Sequence, residues 1–263
     1  MLFQLNLCAE AVRPETLTAW EEYLHELEQQ RTERQQAGCY LWIACSPDLK
    51  QAVLAGQIVV KPVNAAMSGT DTTRVSGGEL RHTFGGMFLK GETAARIRAV
   101  LDDYPHYPEI YGPEIVTARV LSEDKEGQGQ KIFLRLRKHF VITVVLNMKC
   151  RNHWTTPDPT HSIEHTTASY IGEAKDPEHP DAGDRTPEEG RGFLWRYESY
   201  WRLQETREGV FVEHETISLS RRPPASLRFI LRPILQRLPQ EAMNKSMRAT
   251  QASLIQKPKA AAL

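Results

Sequence analysis

The residues best placed to do acid–base chemistry are Glu213, His214 and Glu215, in VFVEHETISLSR (210–221), together with Arg196 and Arg202 in the preceding GFLWRYESYWRL run. A buried carboxylate or imidazole of shifted pKa can act as a general acid or base, and an arginine facing it could help hold the polar head of a ligand. Which of these side chains face an interior depends on one turn. A tight turn at Arg207-Glu208 sets His214 beside Trp201 and Arg202 beside Glu213 on neighbouring strands. A loop one residue different exchanges the two faces and sends Glu213 and Glu215 inward. On the outside, the same carboxylates and arginines would be ordinary surface ion pairs. The sequence leaves both arrangements open.

Other chemistries find little support. There is no GxSxG nucleophile elbow, GxGxxG dinucleotide loop or P-loop. His161 and His165 (HSIEH) lie in a segment that reads as a strand, where four residues span about 13 Å, too far to share one ion. HExxH is absent, so no metal site is expected, and no cofactor. His106, His139 and His153 are isolated and read as surface or capping residues. Cys8, Cys39, Cys45 and Cys150 show no metal-ligand spacing and, in a chain of 263 residues, no disulfide framework; they read as buried or idle thiols.

These residues need a scaffold. Apolar residues make up 40% of the chain and charged residues 25%, ordinary for a soluble globular protein. Lys plus Arg (33) equals Asp plus Glu (33), so there is no global field to draw in nucleic acid or an anionic membrane, and neither is expected as a partner. No apolar run has the length of a membrane span. Met1–Ala11 lacks the basic and long apolar regions of a signal peptide. As given, the chain reads as soluble and cytoplasmic, or periplasmic if a signal peptide precedes it.

Arg13–Gln36 has helical spacing of Leu17, Trp20, Leu24 and Leu27, with Pro14 in its first turn. Cys39–Ala44 and Gln57–Val63 read as short strands of a small hairpin, and Ser68–Gly78 as a linker. The expected organisation is a helical and hairpin extension (1–78), a main domain (79–255) and a disordered tail (256–263). Leu80–Leu89 reads as a strand whose Gly85-Gly86 pair could mark a bulge. Glu92–Asp103 reads as an amphipathic helix, and the proline-rich Tyr104–Pro113 as one or two tight turns. Strand-like runs follow at Glu114–Glu123, Gln130–Phe140, Val141–Cys150, Ser162–Glu173, Phe193–Thr206 and Val210–Arg221. Ala174–Arg191 is rich in Pro, Asp, Glu and Gly and reads as an exposed, mobile loop. A final helix carries a stripe from Leu227 through Ile230, Ile234 and Leu238 to Met247, with Pro233 and Pro239 expected to kink it.

This order predicts an α+β helix-grip fold, a curved antiparallel sheet around a long C-terminal helix. A long sheet curls, and one helix cannot fill its concave side. Phe193, Trp195, Tyr197, Ser199, Trp201 and Leu203 share one face of their strand, the natural concave one. Aromatics with polar edges suit a pocket that orients a greasy ligand, although they could equally plug it. The residues expected around such a ligand are Trp195, Tyr197, Trp201, His214, Leu134, Leu136, Ile230 and Ile234, with Arg196, Glu213 and Glu215 as polar contacts.

The helix followed by DDYPHYPEIYGPEI resembles the stretch after the first strand in the START-like SRPBCC superfamily of polyketide cyclases and coenzyme-Q-binding proteins. The tail, with its WR-Y-YWR strand, VE-E-ISLSR strand and P-I-LP helix, is similar to an uncharacterised bacterial subgroup. The resemblance covers roughly 79–254. It implies the helix-grip fold and an apolar-ligand cavity but no catalytic set. Three functions are consistent with this reading: a carrier for a lipid, isoprenoid or polycyclic molecule; a cavity enzyme of cyclase, aromatase or hydrolase type; and a protein-interaction scaffold built on the N-terminal helix and the acidic loop.

Overall fold

The computed structural model describes residues 12–64, 75, 77–124, 129–139, 142–186, 189–222 and 225–256, with the backbone alone for 225–236. The period-two runs form one antiparallel sheet of eight strands in the order β1-β2-β8-β7-β6-β5-β4-β3. The strands are β1 (Val59–Pro62), β2 (Gly78–Lys90), β3 (Ile115–Glu123), β4 (Gly129–His139), β5 (Thr143–Asp158), β6 (His161–Glu173), β7 (Arg196–Thr206) and β8 (Gly209–Arg221). The helices are α1 (Pro14–Gln36), α2 (Trp42–Cys45), α3 (Pro47–Leu54), α4 (Ala94–Leu101), α5 (Tyr107–Ile110) and α6 (Ala225–Gln256).

Both faces of the sheet are covered. On the inner face, Met243 and Met247 of α6 and Ile97, Val100 and Leu101 of α4 pack with Met87, Trp154, Trp201, Leu203, Val210 and Val212. On the outer face, Trp20, Tyr23 and Leu27 of α1 pack on Leu80, Ile217 and Leu219, while Leu41, Ile43 and Val53 pack on Phe84 and Phe211. Alternate residues of β2 and β8 therefore belong to different cores, as a pleated strand requires.

Gly85 and Gly86 make these two covers possible. Pairing of β2 with β8 runs without a break from Gly78–Arg221 to Lys90–Gly209, so the glycine pair marks no bulge. It marks close approach on both faces. A Cβ on Gly85 would sit 2.4 Å from Met247 Sδ, and one on Gly86 would sit 2.4 Å from Ile43 Cγ2.

Several segments differ from the sequence expectation. Cys39–Ala44 is no strand: Trp42–Cys45 is a helical turn, and Cys39 is disulfide-bonded to Cys45. Cys150 is the buried free thiol among the described residues, and Cys8 lies outside them. The tyrosine–proline stretch forms a 3-10 turn (Tyr104–His106) and α5, short as its prolines demand. β5 continues eight residues past Cys150, because Asn152 and Trp154 keep the inward alternation among polar neighbours. The acidic loop is pinned to the sheet. Arg135 binds Asp181 at 2.7 Å, Arg137 binds Glu178 at 2.6 Å, and Asn147 donates to Asp184 at 2.7 Å. α6 is one helix across the positions of Pro233 and Pro239. In α1 the buried line is Thr16, Trp20, Tyr23, Leu27 and Arg31, rotated away from Leu17 and Leu24.

The two glycines should respond unequally to alanine. Ile43 is β-branched and fully buried, so Gly86→Ala is expected to cost about 1–3 kcal/mol in chemical denaturation. Gly85→Ala should cost less, since unbranched methionines can swing aside.

Candidate functional site

α6 sits close to β2 at Gly85, and the described side chains of α6 do not fill the rest of the concave face. A cavity of about 650 Å³ remains. Its floor comes from Ile132, Leu134 and Leu136 of β4, Val144 and Leu146 of β5, and Tyr197, Ser199 and Trp201 of β7. Ala242, Met243, Ser246 and Ala249 of α6 and the tyrosines Tyr104, Tyr107 and Tyr111 close over it. The aromatics line the space rather than plug it.

The residues expected around a ligand separate into three groups. Tyr197, Trp201, His214, Leu134 and Leu136 all line the cavity. Ile230 and Ile234 have side chains outside the described residues. Trp195, Arg196, Glu213 and Glu215 do not line it. Trp195 lies one residue before β7 begins; its N–H donates to Leu219 O at 2.7 Å, and its side chain turns outward against the α1 core. Arg196 lies on the outward face and donates to Trp195 O at 2.8 Å. Glu213 and Glu215 face outward because β7 and β8 are joined by the two-residue turn Arg207-Glu208, which pairs Trp201 with His214 and Arg202 with Glu213.

The cavity wall carries two buried titratable groups with opposite neighbours. His214 stacks on Trp201 with centroids 3.8 Å apart, and its Nε2 lies 3.0 Å from Ser199 Oγ. Burial pulls the imidazole down to about 3, so it is neutral. Glu164, in register with Trp201 on β6, is pushed up to about 7 by burial, against the hydrogen bonds it accepts from Asn152, Tyr104 and Thr166. Asn152 and Tyr104 are also hydrogen-bonded to each other. Glu164 and the three tyrosines also line the cavity, and they are not among the residues expected there from the sequence. Period two from Ser162 to Ala168 does put Glu164 on one face with Thr166; nothing local says that this face is the inner one.

Directly behind this wall, the outward carboxylates are buried as well. Glu215 accepts from Arg31 Nη2 at 2.7 Å, Arg202 Nη1 at 2.5 Å and His82 Nε2 at 2.5 Å. The other ring nitrogen of His82 takes the Tyr23 hydroxyl at 2.6 Å. Burial keeps His82 below its ordinary value and hence neutral, which assigns the Nε2 proton to the bond with Glu215. Burial alone would raise Glu215; Arg31, Arg202 and His82 more than reverse this and hold it well below the usual carboxylate range. Glu213 accepts the Ile43 N–H at 2.8 Å and is pushed up to about 7 by burial. Arg31 also lies over the Tyr200 ring, 3.9 Å from its centroid. The expectation of surface ion pairs is thus corrected: α1 and α2 cover these groups and take part in binding them. Among the described residues no cluster of three or more His, Cys, Asp or Glu could hold a metal, and His161 and His165 bind different carboxylates, Asp158 and Glu198.

No family model and no curated protein sequence matches the chain. Solved structures do. A STAR-related lipid transfer protein from Xanthomonas axonopodis (fragment 25–204) is 16% identical at a TM-score of 0.53, covering 75% of this chain and 93% of its own. The Zhui aromatase/cyclase from Streptomyces sp. R1128 is 12% identical at 0.50, covering 70% and 98%. The chain has the START-like helix-grip fold. In this START-like frame the helix that grips the sheet is α6, and α1–α3 cover the sheet's opposite face.

Two expectations follow from the buried charges. Glu215→Gln removes the buried carboxylate shared by Arg31 and Arg202, leaving Arg31 only its exposed partner Glu28, and should cost about 3–5 kcal/mol in denaturation. The stabilisation that Glu215 supplies is present above its unfolded pKa and is lost only as pH falls through its depressed folded value. Glu164 has the opposite sign. Its carboxyl is raised in the fold to about 7 from an ordinary 4.5, so folding retains a proton and stability drops as pH climbs from 4.5 through 7. Glu164→Gln should therefore gain stability over the natural protein at pH 8 compared with pH 5, as measured by urea midpoints.

Proposed function

We propose that this protein binds a hydrophobic small molecule, a lipid, isoprenoid or polycyclic compound, inside the sheet and acts as its carrier or sequestering protein. The observation that carries the reading is the cavity of about 650 Å³ between α6 and the sheet, walled largely by aliphatic and aromatic side chains with some hydroxyls and a few charged groups, Glu164 among them. Pockets of this size and lining take ligands with an apolar body and a small polar end. That one similar structure is a lipid transfer protein and another an aromatase/cyclase supports the reading.

The enzyme reading keeps one observation in its favour, a buried carboxyl and a buried imidazole, Glu164 and His214, on the same cavity wall. Glu213, Glu215 and Arg202 lie behind the wall, where Glu215 binds Arg31 of α1 and Arg202, and Glu213 accepts from Ile43 of α2, so they do not serve a reaction in the cavity. An interaction scaffold is disfavoured in the same way, since α1 docks on the sheet of its own chain. The Cys39–Cys45 disulfide favours an oxidising compartment, and so an extracytoplasmic site over a cytoplasmic one. Among the described residues, no helix is long and apolar enough to cross a membrane.

The test is uptake of a lipid-like fluorescent probe by the natural protein and by Ala242→Trp, which fills the cavity from the helix side. Saturable uptake of one probe per chain is expected, weakened about tenfold or more by the tryptophan at unchanged circular dichroism. No uptake, or uptake indifferent to Ala242→Trp, would reject the proposal.

A further inference from the structure

Glu164 does more than fill the wall. Its side chain is 4% exposed and lines the cavity. The hydrogen bonds it receives all arrive at one oxygen: Asn152 Nδ2 at 3.3 Å, the Tyr104 hydroxyl at 3.3 Å and Thr166 Oγ1 at 3.4 Å, each to Oε1. Among the described residues, Oε2 receives none. A buried carboxyl normally satisfies both oxygens or is matched by a base, and among the described residues no Lys, Arg or His forms an ion pair with Glu164. The ionisable neighbour that acts on it most strongly is a second acid, Asp102, whose charge opposes its ionisation.

The cations that line the cavity are engaged elsewhere. Lys138 and Lys245 both bind Glu114, and Arg81 binds Glu79 and Ser220. Around Glu164 the wall is aromatic. Tyr104 packs on Tyr107 at 4.8 Å and Tyr107 on Tyr111 at 4.7 Å between centroids, with Tyr197 and Trp201 on the sheet side. Aromatic faces and an unmatched carboxyl attract the same kind of group, a desolvated cation.

We infer that the ligand of this cavity is a hydrophobic amine, whose ammonium group is seated against Glu164 Oε2 and whose apolar body lies along the β4 and α6 side chains. This rests on the proposed function and specifies the chemistry of its ligand. An ammonium would supply the missing donor to Oε2 and the missing counter-charge at once. A hydroxyl supplies the first alone, and a carboxylate neither.

The test compares 2-(1-naphthyl)ethylamine, 2-(1-naphthyl)ethanol and 1-naphthaleneacetate, three probes with one apolar body, by calorimetric titration at pH 8. The titratable groups facing Glu164 are Asp102, Tyr104, Tyr107, Tyr111 and Tyr197; burial raises every one of these tyrosines, so they stay neutral there. The amine is expected to bind about tenfold tighter than the alcohol, with the acid weakest. Glu164→Gln should erase the preference for the amine over the alcohol, and an unchanged circular dichroism spectrum and urea midpoint at pH 5 show that the variant is folded. An alcohol bound as tightly as the amine, a preference that survives Glu164→Gln, or no binding of any of the three overturns the inference. If the lipid-like probe still enters, only the amine assignment falls; if it does not, the proposed function falls with it.

Discussion

The two-residue turn at Arg207-Glu208 is the constraint on which the rest of the structure depends. With it, Trp201 pairs with His214 and Arg202 with Glu213, and the pleat then dictates what each face receives. His214, Thr216 and Ser218 go to the cavity, and Glu213, Glu215 and Ile217 go to the far side. A loop one residue longer would bury two carboxylates in an apolar cavity and leave α1 without its polar partners. The sheet could then be gripped from neither side as it is now.

Two chemically different covers follow. The inner one is apolar where α6 touches the sheet and hollow where it does not, so burial of methionine and aliphatic surface holds the helix while leaving room for a guest. The outer one sits over an ionic network that is almost wholly buried, with Glu215 accepting from Arg31, Arg202 and His82. Such networks add little net stability compared with hydrocarbon, yet breaking one is costly, and they favour a single docking position. His82, Glu213 and Glu215 belong to the strands that build the cavity wall, so the N-terminal helices brace that wall from behind. Gly85 and Gly86 allow both covers to approach the same point of β2.

Much of this could be read from the residues. Period-two runs located the strands, the order of elements implied a sheet wrapped on a helix, and the spacing between β7 and β8 contained the observed register as one of two choices. Tyr197, Trp201, His214, Leu134 and Leu136 line the cavity because alternation and burial coincide there. Trp195 departs from the expected face because alternation holds only within regular strand, and β7 begins at Arg196. Arg31 and Tyr23 were invisible because an apolar stripe was sought in α1, whereas its partner Glu215 lies 184 residues away. Glu164 escaped notice because a lone acid in a strand reads as solvent-facing until its neighbours across the sheet are known. The disulfide was overlooked because a spacing of six residues has no motif; a helical turn closes the gap.

Everything proposed for this protein rests on the hollow under α6 holding a hydrophobic guest. Native mass spectrometry of the purified protein, followed by solvent extraction and identification of what is released, tests it most directly. A mass excess corresponding to one apolar molecule per chain, lost on denaturation, is expected. A protein that is found empty, and stays empty when purified from cells rich in lipids and polycyclic metabolites, would contradict it.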